Sequence, residues 1–583
     1  MSEIEKDPPE IISPEDLAEP ADPEAVIAAE EPVSKQQSVA RSAGIVSIAV
    51  MFSRLLGLIR EQVFAYFFGA GFLYDAYVVA FRIPNVLRDL FAEGALSAAF
   101  VKVFTDYQIE KGEKAAWHLA GLVINGLAVI MSAICIVGIV FSRQFVDLVA
   151  DGFSPEKAAL ATTLTQIMFP FILLVALAAV AMGVLNTKGV FGIPASASTV
   201  FNIVSMIVGL CLAYWLSGGG WLGTPDASGI PGASAQWAII GMAIGTLIGG
   251  ASQFLMQVPS LFKVGFRFLP VLSFTDEGVK RVMSLMAPAI IGTSAVQINV
   301  LINTYFVSGI DGAQGWLSYS FRLMQFPIGL FGVAVGTAAI PVLSRLAKEG
   351  KTVQFRDTLS SSMNLVFLMT IPAACGLIVL GEPIVRLIYE HGKFTSTATN
   401  MTALALAGYS VGLAGYAAIK VISPAFYAMN DAKTPMIIAL GSIVVNALGS
   451  YFFREWLSHY GVTPETPSGY GHVGVALATS CVALINFAAL IWFMRRKIRR
   501  LNGREIAAAF FKVLAAAVLM SAVCYTSYYI LHTQIGGTRL VNHAIEALVP
   551  IVLGGATFMI AAKMLRVKEL EQAISTIRRK LAR

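Results

Sequence analysis

Charge is scarce in this chain. Asp, Glu, Lys and Arg make up 13% of its 583 residues, about half the share usual in soluble domains, while 56% are hydrophobic and the mean hydropathy is +0.71. That excludes a soluble globular protein and predicts a polytopic membrane protein. Cysteine is rare too: Cys135, Cys211, Cys375, Cys481 and Cys524 stand singly in apolar stretches. Without Cys-x-x-Cys spacing or a paired extracellular pattern, they read as small core hydrophobes. The histidines form no His-x-His or His-Glu-x-x-His group, and no Asp-Asp-x-x-Asp cluster occurs. Neither a metal cofactor nor a magnesium-dependent enzyme acting on polyprenyl phosphates is therefore expected. Residues 1–40 lack aromatics and are rich in Pro and Glu, which predicts a disordered acidic tail. They show no basic n-region followed by an apolar run, so this end is expected to stay in the cytoplasm.

What is present is apolar sequence in long runs. A membrane span needs about 20 residues, and hydropathy predicts about fourteen helices: near 43–68, 74–104, 115–141, 157–185, 191–216, 232–260, 280–308, 314–343, 357–380, 397–428, 434–453, 470–494, 505–531 and 542–564. Lys and Arg gather after the even-numbered segments: Lys111 and Lys114, Lys188, Lys263 and Arg267, Arg345 to Lys351, Lys433, Arg495 to Arg500, and a basic C-terminal tail. The odd-numbered connections, such as 217–225 and 461–467, are rich in Gly, Pro and Ser. Cytoplasmic loops are the basic ones, so both termini are expected in the cytoplasm. The net charge of +6 then reflects loop asymmetry, and no nucleic-acid partner is expected.

Self-comparison at an offset of 240 residues matches Phe81-Arg82 with Phe321-Arg322, Leu90-Phe91 with Leu330-Phe331 and Ala98-Ala99 with Ala338-Ala339. Paired Phe-Arg steps ahead of a proline are hard to obtain from apolar composition alone. The second and eighth segments are then equivalents, six crossings apart and pointing the same way. This predicts an all-α protein of two parallel six-helix lobes around a central cavity, plus a C-terminal helix pair, with substrate bound between the repeats.

The most informative residues are charges inside the first two segments. Arg54 and Glu61 are seven residues apart, on one helix face and about 10 Å apart along the axis, with Ser53 and Arg60 beside them. Asp75 and Arg82 repeat that spacing, followed by Arg88, Asp89 and Glu93. Pro84 predicts a kink. Each such charge costs roughly 2.5–3.5 kcal/mol to insert, so these side chains should face partners or water. Arginine grips two oxygens of a phosphate at once and stays charged, so converging arginines suit a pyrophosphate. The alternative is a set of structural ion pairs between these arginines and Glu61, Asp75, Asp89 and Glu93. In the eighth segment Arg322 and Gln325 precede Pro327, with Gly329, Gly332 and Gly336 spaced for helix packing. Asn299 and Asn303, at i and i+4, read as interhelical hydrogen-bond formers in preference to a cation site.

These blocks, Phe52-Ser-Arg54-Leu-Leu-Gly57, Arg60-Glu61, Phe68-Gly-Ala-Gly71, Asp75-Ala, Ala80-Phe81-Arg82-Ile-Pro84-Asn85, Arg88 and Phe91-Ala-Glu93-Gly-Ala95, resemble the MurJ/MviN family of lipid II flippases, in the multidrug/oligosaccharidyl-lipid/polysaccharide exporter superfamily. Arg322-Leu-Met-Gln325-Phe-Pro327 and Asn430-Asp-Ala-Lys433-Thr-Pro435 add to a resemblance spanning roughly 40–565. It implies lobes at 41–260 and 277–498, a groove for the undecaprenyl tail at 503–566, and tails at 1–40 and 567–583. It also implies a bacterial inner-membrane transporter, not an enzyme, that moves lipid II outward by alternating access for peptidoglycan synthesis. Carried over residue by residue, it places substrate contacts at Arg54, Arg60, Arg88 and Arg322, with Asp75 and Ser53 beside them; the reading of the charges themselves adds Arg82 and Glu61. Two positions depart from the pattern. Glu61 stands where Asp is common, and Gln325 where some members have Glu, so the eighth helix offers no acid there. The expected partners are lipid II, membrane lipids and cell-wall synthesis proteins; the expected state is a monomer with no cofactor, biased by a membrane potential or a coupling ion.

Rival readings differ in the charges they need. A drug/cation antiporter would want acidic residues and aromatics in the site. An O-antigen or capsule-unit flippase shares an anionic lipid carrier and lacks only the specific first-two-helix block. A scaffold has no use for the arginines.

Overall fold

The computed structural model describes residues 48–91, 95–219, 231–537 and 539–571. The acidic tail, Glu93, Gly94, most of the 217–225 loop and the end of the basic tail lie outside them. Among the described residues no strand forms; the one isolated bridge joins Thr463 and Thr466 within a turn.

The helices come in an order that repeats. The first half runs through helices 48–68, Phe72–Phe91, Ala95–Glu110, Glu113–Val140, a short Ser142–Val149, Pro155–Met168, Phe171–Thr187, Gly192–Leu216 and Ala233–Leu255. The second half runs Glu277–Val307, Ala313–Pro327, Ala334–Lys348, Thr352–Val379, a short Gly381–Tyr389, Ser396–Ser410, Leu413–Ala428, Lys433–Ser458 and Gly471–Lys497. Each element follows its counterpart by about 240 residues, so the duplication seen in a few Phe-Arg and Leu-Phe matches extends to the whole helix order. A closing pair, Gly503–Ile535 and Leu540–Met564, packs on Thr352–Val379 and Gly381–Tyr389.

Ten described helices are long and apolar enough to cross a membrane, and up to twelve if two bent pairs each count as one span. Fourteen is compatible with this, since 48–68 carries Arg54, Arg60 and Glu61 and Phe72–Phe91 carries Asp75, Arg82, Arg88 and Asp89, charges that hydropathy counts against crossing.

Local chemistry explains the boundaries. Ser154 accepts from the Lys157 amide at 3.3 Å with Pro155 in the first turn, and Asp276 and Thr395 cap their helices the same way. Two sequence expectations are corrected. The helix Phe72–Phe91 runs through Pro84, so the helix does not end at the proline. At Pro327 the interruption is a π-helical turn, Ile328–Val333, because the missing N–H and the following glycines loosen the backbone ladder. Among the cysteines, Cys135 and Cys524 are buried as expected, whereas Cys211 is exposed on the outer surface of its helix.

Candidate substrate cavity

The two halves meet closely at one end. Asp75 is fully buried and accepts from the Gly312 amide at 2.7 Å and the Gly315 amide at 3.0 Å, so a carboxylate from the first half caps a helix of the second. Gly312 sits at φ +83°, and a Cβ there would stand 2.8 Å from the Ala70 carbonyl; glycine is needed for both reasons. Lys157 reaches Asp75 at 3.4 Å and Asp311 at 2.5 Å. Tyr319 donates to the Gly69 carbonyl at 3.0 Å and stacks on Tyr74 with centroids 4.7 Å apart. Beside them Gly152 donates to Ser308 at 3.0 Å, and the Lys393 amide donates to the Tyr66 carbonyl at 2.9 Å. This end is a seal.

Above the seal lies a cavity of about 460 Å³ walled by both halves. Its charged lining consists of Arg60, Arg82 and Arg322 against Glu61 and Asp89, a surplus of positive charge. Glu61 is nearly buried and accepts from Arg322 at 2.7 Å, from Arg60 at 3.3 Å and from Tyr74 at 2.6 Å. Two guanidinium groups from different halves thus share one carboxylate. Arg60 also lies over the Phe201 ring at 5.3 Å, and its Nε is buried without a hydrogen-bond partner.

Arg82 is held differently. Its Nη1 donates to Thr304 Oγ1 at 2.5 Å and Gln314 Oε1 at 3.1 Å, and Gln314 is itself fixed by donating to the Thr304 carbonyl at 2.8 Å. Among the described residues no carboxylate pairs with Arg82. Neutral oxygens orient the guanidinium without cancelling its charge, which leaves it able to bind an anion.

The remaining sequence-predicted residues are placed elsewhere. Arg88 folds onto Asp89 with contacts of 3.0 and 2.7 Å, and Asp89 also accepts from Gln297 at 3.0 Å. Arg54 is exposed and lies against Gly329 on the π-helical turn, where a Cβ would fall 1.7 Å from its Nη1. The Ser53 carbonyl accepts from Asn202 at 3.2 Å. Arg54, Arg88, Ser53 and Asp75 are not part of the cavity lining, and Asp75 belongs to the seal. Asn299 donates to Ser442 at 3.0 Å and Asn303 to Thr479 at 2.9 Å, with Asn446 bridging to both asparagines, the interhelical bonds expected of them.

Sequence reading missed Tyr74, Gln314 and Lys157. Lys157 carried a signal: it is a lysine next to an otherwise Lys/Arg-poor odd-numbered connection, and the loop count passed over it. Tyr74 and Gln314 look like ordinary helix residues until the halves are brought together.

The model of the lipid II flippase MurJ family matches residues 64–542. The lipid II flippase MurJ of Burkholderia cenocepacia is 36% identical over 425 residues, covering 72% of this chain and 79% of its own. The probable lipid II flippase MurJ of Vibrio cholerae is 36% identical over 472 residues, covering 79% and 83%. A solved lipid II flippase MurJ in an inward closed conformation superposes with a TM-score of 0.70 at 29% identity, over 89% of this chain and 98% of that one. An inward-facing multidrug resistance MATE family transporter of the MOP superfamily superposes at 0.61 with 14% identity, which speaks to the fold. The family model covers most of the chain and the relatives match it over most of their length, and the chain belongs to the MurJ family.

Proposed function

We propose that this protein flips lipid II from the cytoplasmic to the periplasmic leaflet of a bacterial inner membrane by alternating access, and that Arg82, Arg60 and Arg322 engage the diphosphate and headgroup. The observation that carries the reading is Arg82, a cavity guanidinium held only by neutral oxygens. The charged headgroup exchanges hydration for these contacts while the polyprenyl tail stays in lipid, so the diphosphate never enters bare hydrocarbon. Lobes at 41–260 and 277–498 rock about the cavity, 503–566 receives the tail, and 1–40 and 567–583 are cytoplasmic tails. The basic even-numbered connections support cytoplasmic termini. The seal then faces the periplasm, and Arg54, Arg88 and Ser53 stand toward the cytoplasmic entrance.

Glu61 acts as a stand-in counter-ion. It holds Arg60 and Arg322 while the site is empty and yields them to the incoming phosphates. Direction comes from a membrane potential or an ion gradient, each unit charge being worth about 2.3 kcal/mol per 100 mV. The protein works as a monomer and hands its cargo to cell-wall synthesis proteins. In cells depleted of their own flippase, the intact chain should restore lipid II accessible to a non-permeant hydrolase, while Arg82→Gln and Arg322→Gln should not at equal membrane levels. Full restoration by both variants would sink the proposal.

A further inference from the structure

A second cavity, of about 560 Å³, lies away from the two-half interface, between the start of Thr352–Val379, the start of Gly503–Ile535 and the turn after Leu540–Met564. Asp357, Ser360 and Asn364 line it from one helix face at i, i+3 and i+7. Ser360 and Asn364 are only 3% and 6% exposed, yet Ser360 Oγ and Asn364 Oδ1 have no hydrogen-bond partner among the described residues. The Asn364 amide nitrogen donates to Glu569 at 2.8 Å, so its Oδ1, an acceptor only, is the atom left without a partner. Glu505 lines the same space, exposed and tied among the described residues to Lys568 at 3.7 Å. The same lining holds Lys512, Arg566 and Lys568; Arg566 is exposed, in left-handed backbone at φ +50°, and its carbonyl accepts from Lys512 at 3.4 Å. No ion pair of the Arg566 guanidinium is found among the described residues.

The cavity thus offers cationic groups, which suit a phosphate, together with acceptors and carboxylates, which call for N–H donors. A bare phosphate has none to give, and a quaternary ammonium has none either. An apolar surface adjoins it: Phe511, next to Lys512, is 65% exposed on a helix long and apolar enough to cross a membrane. We infer that this cavity binds the headgroup of a zwitterionic phospholipid bearing a phosphate ester and a primary ammonium. The phosphate sits against Arg566 and Lys512. The ammonium donates to Asn364 Oδ1, Ser360 Oγ and Glu505. The inference does not rest on the role of the central cavity.

Native mass spectrometry of the delipidated full chain, titrated with phosphatidylethanolamine, phosphatidylcholine and phosphatidylglycerol, tests it. Phosphatidylethanolamine should bind about tenfold more tightly than either of the others; Asn364→Leu should remove about that preference, whereas Arg566→Gln should weaken all three lipids by a similar factor. Should Asn364→Leu fail to fold, the exposed Glu505→Gln replaces it. Soluble phosphoethanolamine should not displace the lipid at equal concentration. Equal binding of phosphatidylcholine, variants that bind like the parent, or displacement by the soluble headgroup would each overturn the inference.

Discussion

Asp75 and Arg82 stand seven residues apart on one face of one helix, yet they do opposite work. Asp75 has both oxygens occupied by Gly312, Gly315 and Lys157, all but closed to a ligand, and it locks the halves together. Arg82, two turns on, meets only neutral oxygens and opens into the cavity. A rise of about 10 Å along the helix separates a structural charge from a binding one. The lesson is that a buried charge must be judged by whether its partners cancel it. Spacing alone does not decide.

The sharpest break in that comparison is Asp75→Ala. It leaves the Gly312 and Gly315 amides without their acceptor and the Lys157 ammonium with Asp311 as its one remaining carboxylate, and removing one partner of a buried pair costs up to about 3–5 kcal/mol. The purified variant should unfold at a clearly lower temperature, and adding Lys157→Met should recover part of the loss. A variant as stable as the parent would place Asp75 outside the seal.

Smaller, and aimed at the same end, is Gly152→Ala. A Cβ there would lie 2.4 Å from the Gly309 backbone nitrogen, which has no side chain to swing away. Relieving such a clash costs about 1–3 kcal/mol, and parting the halves is the easy relief. Spin labels flanking the seal should report a longer distance in the variant. Asn303→Leu removes bonds to Thr479 and Asn446 within one half and should cost about 1 kcal/mol without changing that distance.

The least effect is expected at Asp431, in the turn before Lys433–Ser458. Burial pushes its carboxyl up, but the Lys497 ammonium and the amide and hydroxyl of Thr434 outweigh it and leave it below the ordinary value. Its contribution is complete above the unfolded carboxyl's value near 3.9 and is lost as pH falls through the lower folded value. Unfolding followed across that acid range should therefore be slightly less pH-dependent in Asp431→Asn.

Much of this was readable before any coordinates. Hydropathy runs placed the helices, because a membrane span must satisfy its backbone internally and so imposes a length. Paired Phe-Arg steps exposed the duplication, since charge at that depth is too rare to recur by composition. The site was half legible. Arg60, Glu61, Arg82 and Arg322 line the cavity, but Arg54, Arg88 and Asp75 do not, because which way a helix faces depends on the other half of the molecule. The same holds for Tyr74 and Gln314: nothing local marks them, and Tyr319, stacked on Tyr74, and Arg82, bound by Gln314, lie in the opposite half.

The central claim is that Arg82 offers uncancelled charge to a diphosphate. Affinity of the purified chain for a water-soluble lipid II analogue, compared between the parent and Arg82→Gln, tests it most directly. Losing one charge-assisted contact of about 1.5–3 kcal/mol predicts a Kd raised roughly 10- to 150-fold, with an unchanged melting temperature. An unaltered Kd would contradict the account.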